Sequence, residues 1–298
     1  MPKDRYAIAT EQPNPHTRGL DRLSALQIAR KINAEDFNAA RAVKKASKPL
    51  AQAIRTAAQA FMGGHKIIFM GAGTSGRLGV LEAAECVPTF GVKPTQIIGL
   101  IAGGKNAMFR AKEGAEDNAA LGAQDIRQQA RAHDFVIGLT ASGITPYVLG
   151  GLEAARQLGA RTALITCNEQ ADFSHADIVL FLPTGPEALC GSTRMKAGTA
   201  TKMALNIIST GAMALCGKMY GNLMVDVKPT NKKLVARATR LIAQIAGVDP
   251  QTAGQYLAQS GNQVKVAIVM LKKQLGRPQA ARLLKKANGF LAEALDEN

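Results

Sequence analysis

Two short stretches of this chain place hydroxyls around a glycine just after an apolar run. The first is Gly71-Ala72-Gly73-Thr74-Ser75-Gly76, which follows Ile67-Ile68-Phe69-Met70. The second is Ala141-Ser142-Gly143-Ile144-Thr145-Pro146, which follows the run Phe135 to Thr140. A tight turn from a buried strand into a helix aims backbone N–H groups and the helix N-terminus at one point, and that attracts an anion. Hydroxyls beside those amides suit a terminal phosphate monoester. Thr74, Ser75, Gly76, Ser142, Gly143 and Thr145 are therefore the expected phosphate-binding residues. An ordinary strand–helix turn, or plain helix capping by Ser142 and Thr145, would explain the same residues without a ligand.

Gly71, Gly73 and Gly76 spell G-x-G-x-x-G, but the surroundings do not complete either familiar nucleotide motif. A dinucleotide site wants an acid about 20 residues further on. The next apolar run, Gln96 to Ala102, ends instead in Gly103-Gly104. A P-loop wants Lys and then Ser or Thr after its last glycine; here Arg77-Leu78 follow.

Composition narrows the class. The chain has 298 residues, 47% hydrophobic and 20% charged, which is globular and long enough for about two domains. It has no Trp and 4% aromatic residues, too few for a single-strand nucleic-acid reader built on stacking. The net charge is +15, and residues 231–298 carry 11 Lys/Arg against 4 Asp/Glu. These charges are spread along helical faces rather than in blocks. They read as a solvated surface that steers anionic substrates, with no nucleic acid implied. Cys86, Cys167, Cys190 and Cys216 show no C-x-x-C spacing, so they read as free, buried thiols in a reducing cytoplasm. The Met203–Cys216 stretch is too short and polar to span a bilayer, and no apolar leader follows Lys3-Asp4-Arg5. His16, His65, His133 and His175 lie in unrelated contexts, and no metal or other cofactor is expected.

The elements that must position the hydroxyl loops follow from periodicity. Ser24 can cap a helix starting at Ala25, and a second helical stretch runs from about Pro49 to Met62. Five apolar runs come next: 67–70, 96–102, 135–140, 162–167 and 178–182. Helical stretches at 77–85, 107–121 and 147–158 separate most of them, with Pro88 expected to bound the first. The alternation predicts an α/β fold, a five-stranded parallel sheet flanked by helices. Ligands of such sheets sit beyond the carboxyl ends of the strands, where both hydroxyl loops and a third loop, Thr184–Arg194, belong. Ser192 and Thr193 can cap a long helix rich in small residues, suited to close packing within the fold or across a dimer. From Asn231 only short helices are expected, with Pro250 and Pro278 in first turns. The expected divisions are 1–56 (N-terminal arm and helices), 57–220 (the α/β domain that carries the phosphate-binding loops) and 221–298 (linker and small helical C-terminal domain).

The stretches "GAGTSGRLGVLEAAEC", "EGAED", "ASGITPYV", "GSTRMKAGTATKMALN" and "GKMYGNLMVDVKPTN" resemble the N-acetylmuramic acid 6-phosphate etherases, on the sugar-isomerase (SIS) phosphosugar-binding fold. The resemblance runs from "TEQPNP" to about Asn231 and more loosely beyond. It implies a cytoplasmic homodimeric lyase that needs no metal and releases D-lactate, leaving N-acetylglucosamine 6-phosphate. It also implies that Glu85 is the proton donor and Glu116 the second active-site carboxylate. From residue pattern alone, both glutamates read as solvated helix positions, as do Glu82 and Glu113. Arg194 and Lys196 read as surface or interface residues, with contact to an anionic ligand the alternative. Three positions depart from the family pattern: Ile144 where such enzymes commonly carry Arg, Val87 for Pro, and Glu169 for a Pro after Asn168. The alternatives on the same fold are an aldose–ketose isomerase and a non-catalytic phosphosugar sensor.

Overall fold

The computed structural model describes residues 8–110, 112–229 and 231–296. Contacts divide the chain into two compact units, one of residues 1–84 and 94–209, the other of 85–93 and 210–298.

The first unit is a five-stranded sheet with helices on both faces. After an arm of 3₁₀ turns come helices α1 (Ala25–Lys45) and α2 (Ser47–Met62). Ser24 opens α1 through a capping box with Gln27. The strands are β1 (Ile67–Gly71), β2 (Ile97–Ile101), β3 (Phe135–Leu139), β4 (Arg161–Thr166) and β5 (Ile178–Phe181). They lie in the order β2-β1-β3-β4-β5, and every neighbouring pair is parallel. Strands β1 and β3 are buried along their whole length, which is why they read as unbroken apolar runs rather than alternating ones.

The pleat sorts those residues. Ile68, Met70, Val136 and Leu164 cluster with Ile126 of α4 (Ala119–Gln129) and with Tyr147, Val148 and Leu152 of α5 (Pro146–Gln157). The Tyr147 hydroxyl donates to Asp125 at 2.7 Å, tying α5 to α4, and burial beside that carboxylate pushes its pKa up. Helix α2 packs against β1, β3 and β5. Helix α3 (Gly73–Phe90) joins β1 to β2, and α6 (Lys196–Leu215) follows β5.

Two expected elements differ. Pro88 lies inside α3, in its last turn, instead of ending it. Residues 107–121 are not one helix. Gly103, Gly104 and Gly114 take positive φ, and the segment breaks into 3₁₀ turns at Lys105–Met108 and Ala115–Asp117 before α4 begins.

The second unit is helical: α7 (Lys232–Ala246), α8 (Pro250–Gln259), α9 (Val264–Lys273), α10 (Arg277–Lys286) and α11 (Leu291–Asp296). Residues Val264 to Met270 of α9 are buried at its centre. One of them is Lys265, whose ammonium donates to the carbonyls of Gly217 and Gly289 and pairs with Asp226, each at 2.8 Å. Pro250 and Pro278 sit in first turns as expected.

Candidate active site

In a sheet of order 2-1-3-4-5, the crevice falls where the chain reverses direction, between β1 and β3. A cavity of about 480 Å³ lies there. Its walls include Thr74 and Ser75 beyond β1, and Thr140, Ser142 and Thr145 beyond β3.

The two loops are built differently. Helix α3 starts at Gly73, so Thr74 and Ser75 occupy its first turn. The Gly76 N–H bonds to the Ala72 carbonyl at 3.1 Å, and the amides ahead of it are the donors a helix start leaves without intrahelical partners. Gly76 itself does not line the cavity; a Cβ there would lie 2.6 Å from the Gly71 carbonyl oxygen. Its place is in packing the helix onto the strand end.

The second loop is a hydroxyl cluster around Thr140, which is buried. The Thr140 hydroxyl lies 2.7 Å from that of Thr145 and 3.2 Å from that of Ser142, and it accepts from the Gly143 N–H at 3.1 Å. The Asn168 amide anchors the loop on the Ser142 carbonyl at 2.8 Å. Thr145 precedes α5, but its side chain makes no cap bond, so capping does not explain it. Gly143 does not line the cavity either. It holds φ at +72°, and a Cβ there would meet Ala171 at 2.4 Å.

Glu116 is on the cavity wall, in the 3₁₀ turn that Gly114 opens with φ +72°. Glu85 is not. It is exposed and lies ten residues beyond Ser75 on α3, about 15 Å along the helix axis. Sequence reasoning missed Thr140, Ile8, Glu11 and Asp117, all of which face the cavity, as does Thr193 of the third loop expected at the strand ends.

Glu11 and Ile8 reach the cavity because the N-terminal arm is fastened. Thr10 accepts from the Gly191 N–H at 3.0 Å, and Thr17 donates to the Ala188 carbonyl at 2.8 Å. The Asn14 amide bonds both Glu35 at 2.8 Å and the Pro186 carbonyl at 3.0 Å. Glu35 of α1 also pairs with His16 at 2.8 Å and with the ammonium of Lys196, which is buried. Lys196 is therefore a structural cation and not a ligand contact. Nor do Ser192 and Thr193 cap α6. The buried Glu187 carboxylate does, accepting from the N–H groups of Lys196 and Ala197 at 2.9 Å each. Glu82 is likewise buried rather than solvated, with Asn206 and Ser209 of α6 donating to it. Cys190 is exposed, whereas Cys86, Cys167 and Cys216 are buried, and burial pushes the Cys167 thiol up to about 12. Among the described residues, no group of three or more His, Cys, Asp and Glu is placed to hold a metal ion.

Residues 49–156 match the family model described as the glucokinase regulatory protein N-terminal SIS domain. Proteins named N-acetylmuramic acid 6-phosphate etherase match nearly end to end. The one from an Exiguobacterium species is 50% identical over 97% of this chain and 99% of its own. That from Lactobacillus gasseri is 50% identical over 97% and 98%, and that from Serratia proteamaculans 49% over 97% and 98%. The chain belongs to the N-acetylmuramic acid 6-phosphate etherase family. For an etherase of this family, the cavity at the strand ends is of a size for one small ligand, and its polar wall combines backbone amides, hydroxyls and carboxylates.

Proposed function

We propose that this chain cleaves the D-lactyl ether of N-acetylmuramic acid 6-phosphate by elimination and rehydration, giving N-acetylglucosamine 6-phosphate and D-lactate. The observation that carries this reading is Glu116, on the wall of a hydroxyl-lined cavity at the β1/β3 strand ends of an etherase-family chain. The phosphate sits at the first-turn amides of α3, with Ser75, Ser142 and Thr145 around it.

In the open-chain sugar the aldehyde acidifies the proton on carbon 2. Glu116 removes it, leaving the electron pair on an enolate; that pair then forms the carbon 2–carbon 3 double bond as the ether bond on carbon 3 breaks. Glu85 supplies the proton to the departing lactate oxygen. Water then adds at carbon 3 and carbon 2 regains a proton. No electrons leave the substrate, so two positioned carboxyl groups suffice.

The proposed site takes Glu116 from one chain and Glu85 from a second copy in a homodimer. Leu81, one helical turn before Glu85 on the same face of α3, is 45% exposed, as a covered face requires. The four cysteines are thiols rather than disulfides, which supports a cytoplasmic location. No helix among the described residues is long and apolar enough to cross a membrane.

The test is release of D-lactate from N-acetylmuramic acid 6-phosphate by the purified full chain. Conversion to a ketose without lactate would make it an isomerase, and binding without turnover a sensor; either outcome overturns the proposal.

A further inference from the structure

The proposed substrate carries two anions, a phosphate and the lactyl carboxylate, yet among the described residues the 480 Å³ cavity has no Lys or Arg on its wall and three acids, Glu11, Glu116 and Asp117. The cations are next door. A second cavity of about 280 Å³ shares Ala72, Gly73 and Glu116 with the first and adds Arg77 and Lys112, with Glu113 the other carboxylate on its wall. Resting on the etherase reading, we propose that this second cavity is the subsite for the lactyl carboxylate, with Arg77 and Lys112 as its specificity-determining residues.

Three features of the structure converge on this assignment. Glu116 is common to both cavities, so a substrate lying across it puts its reacting carbons beside the base, its phosphate at the helix start and its lactyl arm toward the cations. The Arg77 guanidinium is half-buried and oriented by its Nε–H bond to the Met108 carbonyl at 3.0 Å. A guanidinium carries five N–H donors in a fixed fork that fits a carboxylate. Glycine frames the pocket: Gly103 packs its Cα side against the Lys112 stem, where a Cβ would lie 2.8 Å from Lys112 Cδ. Separate anion sites also solve a chemical problem. A carboxylate placed in the acid-rich first cavity would repel Glu116, the group that must stay ionised to act as base.

The experiment compares N-acetylmuramic acid 6-phosphate with its lactamide, in which the carboxylate is a neutral amide, using the full chain. Wild type should prefer the acid by roughly tenfold or more in kcat/KM, the worth of a charge-assisted hydrogen bond. The preference should shrink to about twofold in Arg77→Gln and partway in Lys112→Met, whose exposed ammonium is screened by water, and Lys112→Arg should restore it. Because each preference is a ratio within one protein, a variant that folds poorly still reports it. Equal rates on acid and amide in wild type, or a preference unchanged in both Arg77→Gln and Lys112→Met, would overturn the subsite while leaving the etherase reading intact. Failure of wild type to release lactate from either compound would overturn both.

Discussion

The glutamates of this molecule fall into two regions that treat charge in opposite ways. Along α6, three of them are buried and fully engaged: Glu35 by Lys196, His16 and Asn14, Glu187 by two backbone amides, and Glu82 by Asn206 and Ser209. They arrive from α1, from the loop after β5 and from α3, so α6 gathers separate parts of the chain. Glu116 and Glu85, the proposed catalytic pair, are exposed. The difference is one of job. A carboxylate that must exchange protons with a substrate needs access, while one that accepts fixed donors gains by being locked in. Substitutions should therefore separate the two regions, costing activity in one and stability in the other.

The largest effect is expected at the exposed pair. Glu116→Gln and Glu85→Gln should each lower lactate release by ~10²-fold or more while leaving the melting temperature nearly unchanged. In heavy water only the Glu85 variant should still place deuterium at carbon 2, because it keeps the base and lacks the acid. Exchange that survives in Glu116→Gln and is lost in Glu85→Gln would reverse the two roles.

The buried region should answer to pH. Burial opposes the charge on Glu35, but hydrogen bonds from Lys196, His16 and Asn14 outweigh it and hold its pKa down at about 2, against an ordinary 4.5. A depressed carboxylate contributes stability that is complete above the ordinary value and is lost as pH falls toward the folded value. Glu187 acts the other way, its pKa raised by burial, so the informative quantity is the difference between wild type and Glu35→Gln. That difference, at most roughly 3 kcal/mol at pH 7, should vanish between about pH 4.5 and 2 in denaturant titrations. A difference independent of pH would show that Glu35 acts through shape alone.

The same division explains what the sequence disclosed. The strands were legible because both faces of the sheet are covered, which leaves unbroken apolar runs at 67–71 and 135–139. The hydroxyl loops were legible because glycine and hydroxyl residues at strand ends are a local pattern. Glu187 was not, since it caps a helix nine residues away in place of the adjacent Ser192 and Thr193. Glu82 was not, because its partner Ser209 lies 127 positions further along. Glu11 was missed for the same reason: only the folded arm brings it to the cavity.

If each site takes Glu116 from one chain and Glu85 from another, the two inactive variants should rescue each other. Mixed and re-equilibrated, half of the dimers would be hybrids with one intact site of two, giving roughly a quarter of wild-type activity. No recovery, in a mixture shown by native mass spectrometry to contain hybrids, would place both carboxylates in the same chain's site.

The smallest effect should come from the phosphate end, and it sets the two hydroxyl loops apart. Ser75 offers one hydroxyl at a helix start whose backbone amides remain when the side chain is cut back. Thr140 instead bonds Thr145, Ser142 and the Gly143 N–H together, so its removal loosens three donors at once. Ser75→Ala should weaken binding of the product N-acetylglucosamine 6-phosphate about fivefold, near 1 kcal/mol for one hydrogen bond. Thr140→Val keeps the shape and loses the hydroxyl, and should weaken it more, about tenfold or above. Titration calorimetry decides. Equal losses would mean that the second loop is held by Asn168 and its backbone rather than by Thr140, and a larger loss at Ser75 would move the weight of phosphate binding from the α3 amides to that one hydroxyl.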